Sequence, residues 1–230
     1  MLAALANLDR PCFRVRGTAT ALAELGTAAD RPGLVRETVE PRELDRMVPA
    51  DSPHQGLVLD AGPLPSRSAN ELGAGPNRPS LVLALDQVSD PRNLGAILRT
   101  AAALGVEGVL VPDRRSADLG GVCAKAASGA LDIVPVVEVV NLARTLAHLK
   151  ERGFWVVGLD AAGTLPLEQL PLQPRRVLVL GAEGAGLRRL VAESCDHLAR
   201  IEIDPRMESL NVSVAAGIAL YLLARRSPQG

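Results

Sequence analysis

From Leu81 to Ile203 the chain repeats one pattern, a short and predominantly apolar run followed by a helix-forming stretch, and few folds accept it. The runs are Leu81–Leu85, Gly108–Val111, Ile133–Val137, Phe154–Leu159, Arg176–Leu180 and Leu198–Ile203. Helices are expected between them at Asn93–Leu104, Asp118–Ala130, Asn141–Arg152 and Leu187–Asp196. A strand that is apolar without alternation has both faces buried, and a parallel sheet covered by helices on both faces provides that environment. The pattern therefore predicts an α/β domain over residues 80–230. Residues 1–60 read as a separate, small α/β module: a helix at Thr18–Leu25, a strand at Leu34–Val39, a helix at Pro41–Met47 with proline in its first turn, and a closing strand at Gln55–Asp60. Between them, 61–79 is dense in Pro, Gly, Ser and Asn and reads as a linker.

Composition narrows the function by exclusion. The net charge is -1 and the pI about 6.3, so no global field draws the chain to a polyanion. Only Lys125 and Lys150 are lysines; every other Lys-or-Arg position is arginine, which suits bidentate phosphate contacts but also follows from genomic base composition. Cys12, Cys123 and Cys195 are scattered, as are His54, His148 and His197, so neither a disulfide framework nor a metal site is expected. The opening Met-Leu-Ala-Ala-Leu-Ala is too short for a secretory core, and no apolar run is long enough to span a bilayer. A cytoplasmic protein with no membrane contact is expected.

Three stretches carry chemistry. In Leu85-Asp-Gln-Val-Ser-Asp-Pro-Arg-Asn-Leu-Gly-Ala-Ile-Leu-Arg99, Asp90-Pro91 is a helix cap and first turn, whereas Asn93 and Arg99 have no structural explanation. Six residues apart on a helix they are rotated by about 240° net, so they border one cleft only if Asn93 still lies in the loop. In Val177-Leu-Val-Leu-Gly-Ala-Glu-Gly-Ala-Gly-Leu187 a strand runs into glycines whose backbone N–H groups can approach a ligand. The spacing is neither the dinucleotide G-x-G-x-x-G nor a Walker A loop. Glu183 within it would repel phosphate and suits a cationic or hydroxyl-bearing ligand. The third stretch runs from Ile201 to Arg225: a short strand at Ile201 and Ile203, a break at Asp204-Pro205, and a helix from Ser209 or Asn211. That helix aligns Val212, Ala215, Ala216, Ala219, Leu220 and Leu223 on one stripe of mostly small residues. Ser209 and Asn211 either cap the helix or face a ligand.

Together, Asp90-Pro-Arg-Asn-Leu-Gly-Ala with Arg99, Leu180-Gly-Ala-Glu-Gly-Ala-Gly-Leu, and Glu208-Ser-Leu-Asn-Val-Ser-Val-Ala resemble, in order and spacing, the three motifs of the SpoU/TrmH family of RNA ribose 2′-O-methyltransferases, over about residues 80–226. Pro112-Asp-Arg-Arg-Ser-Ala-Asp-Leu, Ala126-Ala-Ser-Gly-Ala and Val140-Asn-Leu-Ala-Arg-Thr-Leu are similar to its bacterial 23S rRNA guanosine-2′-O-methyltransferase branch. The resemblance implies an α/β, mostly parallel sheet with a C-terminal trefoil knot, a homodimer joined through the C-terminal helices, and S-adenosylmethionine as cofactor. By position it implies Gly181, Ile201 and Leu210 at the cofactor, and Asn93, Arg99, Glu183, Ser209 and Asn211 in the catalytic cleft. The implied substrate is RNA, 23S rRNA before tRNA, with a tRNA ribose methyltransferase and a non-catalytic RNA-binding paralogue as alternatives. Residues 1–60 are similar to the family's substrate-binding module, whose last strand carries His-Gln-Gly, here His54-Gln55-Gly56. That module usually opens with Gly-x-His-x-Val ahead of its first helix, whereas this chain begins within the helix at about Leu2, so a shortened start is expected.

Overall fold

A computed structural model of the chain describes residues 1–49, 54–73, 79–114, 116–171 and 173–225. These divide into two units, Met1–Pro65 and Ser66–Gly230. The first contains α1 (Leu2–Ala6), β1 (Cys12–Gly17), α2 (Ala19–Leu25), β2 (Val35–Thr38), α3 (Pro41–Asp45) and β3 (Leu57–Ala61). Its sheet has the order β2-β1-β3, with β1 parallel to β2 and antiparallel to β3. The central strand β1 escapes the sequence reading because arginines flank its core residue; Val15 is fully buried between Arg14 and Arg16. Leu5, Cys12, Leu25 and Ala29 complete this small core, and Thr18 caps α2 by accepting from the Ala21 N–H at 3.2 Å.

The second unit runs β4 (Ser80–Asp86), α4 (Pro91–Ala103), β5 (Gly108–Pro112), α5 (Gly121–Ala127), β6 (Val136–Val139), α6 (Leu142–Glu151), β7 (Trp155–Leu159), β8 (Leu165–Pro166), β9 (Arg175–Gly181), α7 (Arg189–Glu193), β10 (His197–Arg200) and α8 (Val212–Arg225). The sheet order is β6-β5-β4-β9-β7-β10-β8, and the pairings between its strands are parallel. All of β4 is buried, as its unalternating sequence requires. Val82 and Ala84 share a core layer with Leu142, Leu146 and Leu149 of α6 and Val191 of α7, while α4 packs with α5 and α8. From β4 the chain progresses outward through β5 and β6; β9, which pairs β4 on its other side, leads toward β10. Strand order therefore reverses at the β4–β9 boundary, and the carboxyl ends of the strands at such a point form a ligand crevice.

Several elements are shorter than their hydrophobic patterns. The helix expected at Asp118–Ala130 spans only Gly121–Ala127, because Ser128 turns left-handed at φ 49° and ends it. The Leu187–Asp196 helix contracts to Arg189–Glu193, and the strand expected from Ile133 begins at Val136, opposite Val109 of β5. The strand expected to reach Ile203 stops at Arg200, where its partners β7 and β8 run out at Leu159 and Pro166. The stretch expected to be a linker is not all free of burial. Leu72 is 3% exposed and sits in the main core, and Arg152 donates to the carbonyls of Ala69 at 3.1 Å and Leu72 at 2.6 Å.

The homodimer that the resemblance implies would join the C-terminal helices, but their small-residue stripe is not available for it. In α8 that stripe is used inside the chain: Ala216, Ala219 and Leu220 are fully buried, and Val212 and Leu223 nearly so. Arg176, itself buried at the start of β9, donates from Nη2 to the Leu223 carbonyl at 2.7 Å and ties the helix end to the sheet. The apolar side chains that α8 leaves exposed are Val214, Ile218 and Tyr221, spaced four and three residues apart on its opposite face.

Candidate active site

Strand β9 ends at Gly181 and the chain then folds back on itself. Ala182 and Gly186 exchange backbone hydrogen bonds at 3.1 and 2.9 Å, closing a tight loop in which Gly184 and Gly186 have φ of 77° and 66°. Gly181 is required by close approach, since a Cβ there would lie 2.1 Å from the Gly186 carbonyl carbon. The loop is fastened at its far end by Asp86, the last residue of β4 and the register partner of Gly181. The Asp86 carboxylate is fully buried and accepts from the Arg188 backbone N–H at 2.8 Å and from Arg188 Nε at 2.7 Å, with Nη2 at 2.6 Å.

Glu183 projects from this loop and its Oε2 accepts from Asn93 Nδ2 at 3.5 Å. The Asn93 side-chain oxygen Oδ1 in turn accepts from Asn211 Nδ2 at 3.1 Å. Asn211 immediately precedes α8, and its Oδ1 accepts from the Ser213 N–H at 2.9 Å and the Ser213 hydroxyl at 2.6 Å. One side chain thus serves both readings of this position: its oxygen caps the helix and its amide faces the cluster. Asn93 lies within α4, as its third residue, and not in the preceding loop. Arg99 therefore lies on another face of the same helix, about 9 Å further along it. It is exposed, and no hydrogen bond or ion pair engages it among the described residues. The structure brings Asn93, Glu183 and Asn211 together, and no hydrogen bond or ion pair joins Arg99 to them.

A cavity of about 780 Å³ opens beside the glycine loop, within the size range of small-molecule and cofactor sites. Its wall consists of the ends of β7, β9 and β10, the glycine loop, residues 201–203 and 207–210 of the irregular segment after β10, and the first turns of α8. Gly181, Ile201 and Leu210 all line it, as do Glu183 and Ser209; Asn93, Arg99 and Asn211 do not. Because Ile201 and Ile203 have no strand partner, they are free to form wall rather than sheet. The remaining lining escaped the sequence reading: Asp160, Glu202 and Glu208 add carboxylates, and Met207 and Leu159 add apolar surface. Apart from Leu159, which ends β7, these residues sit in irregular loops without periodicity, and only the acids around Pro205 mark some of them in sequence. Among the described residues, no group of three or more His, Cys, Asp or Glu side chains is gathered as a metal site.

The chain is similar to known proteins in both sequence and fold. Residues 80–221 match the SpoU rRNA Methylase family. The chain belongs to that family. Among curated proteins, it is 48% identical over 191 residues to the 23S rRNA (guanosine-2′-O-)-methyltransferase RlmB of Pseudomonas aeruginosa, covering 81% of this chain and 76% of the relative. It is 41% identical over 229 residues to an uncharacterized tRNA/rRNA methyltransferase of Mycobacterium avium, covering 94% of this chain and 74% of the relative. Among solved structures, the AdoMet-bound rRNA methyltransferase of Sinorhizobium meliloti superposes over the whole chain and 86% of its own length, with a TM-score of 0.83 at 25% identity. The SpoU match covers the second unit from β4 to Tyr221 of α8, and every wall of the cavity lies inside it.

Proposed function

We propose that this protein is an S-adenosylmethionine-dependent RNA ribose 2′-O-methyltransferase whose target is a guanosine of 23S rRNA. The observation that carries the reading is the convergence of Gly181, Ile201 and Leu210 on one cavity, with Glu183 in its wall joined through Asn93 to Asn211. The cavity suits the cofactor in chemistry as well as size. Leu159, Ile201, Met207 and Leu210 offer apolar surface for an adenine ring. Asp160, Glu183, Glu202 and Glu208 offer carboxylates to a sulfonium and an ammonium group, and the Gly181–Gly186 backbone contact keeps the floor free of side chains. When bound, the cofactor supplies an electrophilic methyl group.

The chain's own part is to position the ribose. Glu183, Asn93 and Asn211 form a hydrogen-bonded line at the cavity edge that can hold a ribose hydroxyl in line for transfer, and positioning of this kind supplies several kcal/mol of a barrier, roughly. Ser209, in the cavity wall, offers a further hydroxyl to the nucleotide. Arg99 acts by binding the target phosphate and polarising the 2′-OH rather than as a base, since a guanidinium offers donors and no acceptor. Arg99 is exposed and engaged by no hydrogen bond or ion pair among the described residues, which leaves it open to the target phosphate. We propose a homodimer joined through the exposed Val214, Ile218 and Tyr221 of α8. The family's trefoil knot, with the 181–188 and 201–211 segments as its loops, and the Met1–Pro65 unit as the RNA-binding part complete the proposal. Among the described residues no helix is long and apolar enough to cross a membrane, in keeping with action on cytoplasmic ribosomal RNA. The deciding experiment is transfer of labelled methyl from S-adenosylmethionine to 23S rRNA and tRNA transcripts, followed by mapping of the resistant ribose. Labelling of 23S rRNA is expected; preferential labelling of tRNA would overturn the substrate assignment, and labelling of neither would overturn the activity.

A further inference from the structure

The geometry points to Asp86 and Arg188 as positioning residues that hold the cofactor loop in its binding shape before any ligand arrives. This rests on the reading of the cavity as the S-adenosylmethionine site. Asp86 ends a strand whose other residues are all buried, and its carboxylate has no exposure at all. A charge so placed needs full compensation, and it receives three contacts from Arg188, one from the main chain and two from the guanidinium. The two residues bracket the loop. Asp86 stands in register with Gly181 at its start, and Arg188 closes its end. The backbone N–H of Arg188 donates to the same carboxylate, so the bond fixes the course of the main chain as well as the side chain.

Between those points the loop has few other ties, among them the long bond from Asn93 to Glu183. Glu183, Gly184 and Ala185 are exposed, and the exchange between Ala182 and Gly186 is its internal fastening. Gly181, Glu183 and Gly186 are all cavity wall, so a shift of the loop by an ångström alters the surface that meets the cofactor. Releasing Arg188 would strand a carboxylate in the sheet, and the fastening is therefore permanent rather than a gate.

The experiment compares wild type with Arg188→Gln, Arg188→Lys and the neutral pair Asp86→Asn/Arg188→Gln, which removes the buried charge should the single variants fail to fold. Lys150→Gln is the control, because Lys150 pairs with Asp196 at 2.7 Å outside the cavity wall and stabilises without touching the loop. S-adenosylmethionine affinity is measured by calorimetry, thermal midpoints by fluorescence, and hydrogen exchange at the Ala182 and Gly186 amides without ligand. Affinity is expected to fall at least tenfold in Arg188→Gln and in the neutral pair, with faster exchange at both amides and partial recovery in Arg188→Lys. Lys150→Gln is expected to lower the midpoint and leave affinity and loop exchange unchanged. Affinity within twofold of wild type in both the neutral pair and Arg188→Gln, or an equal loss in Lys150→Gln, would overturn the assignment. Failure of the wild type itself to bind would overturn the cofactor reading beneath it.

Discussion

Arg99 and Gly181 show two different ways in which a single residue matters here. Arg99 is exposed and has no hydrogen-bond or ion-pair partner among the described residues, so Arg99→Ala is expected to abolish methyl transfer while cofactor affinity stays within a few-fold and the thermal midpoint is unmoved. Turnover at the wild-type rate would remove Arg99 from the mechanism. Gly181→Ala works through sterics, because its Cβ would sit 2.1 Å from the backbone of Gly186 and neither chain segment can yield without opening the loop. Overpacking against main chain costs on the order of 1–3 kcal/mol. A lower thermal midpoint together with at least a tenfold loss in cofactor affinity is expected, and calorimetry showing unchanged affinity would refute the role of the close contact. The thiols behave as packing residues. Burial, with Asp118 nearby, pushes Cys123 up to about 11, and burial, with Asp196 nearby, pushes Cys195 up to about 12. Both folded values lie above the ordinary 9.0, so the folded chain retains protons that the unfolded chain has lost. This contribution to stability is complete below pH about 9 and disappears as pH rises through about 11 to 12. Urea midpoints should fall between pH 9 and 11, and substitution of both thiols by alanine should flatten that part of the profile.

At the scale of elements, α8 decides most. Its small-residue stripe packs against its own sheet and α4, and the outward stripe is Val214, Ile218 and Tyr221. A charge at Ala216 would therefore disrupt the fold, whereas Ile218→Asp is placed to disrupt association alone. Ile218→Asp is expected to sediment as a monomer at micromolar concentration, to retain a cooperative thermal transition and to lose methyl transfer. Sedimentation of the wild type as a monomer would sink the proposed dimer. The same helix shows how a cap becomes a functional residue: Asn211 has an oxygen for the first turn and an amide left for Asn93, so the starts of α8 and α4 meet directly, and Asn93 extends the link to Glu183. Helix and strand boundaries followed their hydrophobic patterns only where a partner existed. Leu198–Ile203 reads as one strand, but sheet pairing ends at Arg200 and the last residues became cavity wall.

For the whole molecule, a net charge of -1 leaves little long-range attraction for RNA, so affinity has to come from specific contacts. The salt dependence of rRNA binding is expected to be shallow, with a slope matching a few phosphate contacts at about 0.9 per contact, as measured by filter binding across a salt series. A steep slope would instead reveal a concentrated basic surface. What the residues determined by themselves was local or strictly periodic: the parallel α/β core from unalternating apolar strands, the glycine turn, the Asp90 and Asn141 caps, and the three motifs that carry the family resemblance. What only tertiary structure decided was which distant groups meet. The linkage of Asn93, Glu183 and Asn211, the burial of Asp86 against Arg188, and the inward turn of the α8 stripe each join residues tens of positions apart in the chain. Such pairings depend on strand order and register, which hydrophobic periodicity does not encode, since every buried apolar strand presents the same pattern whichever neighbour it pairs with.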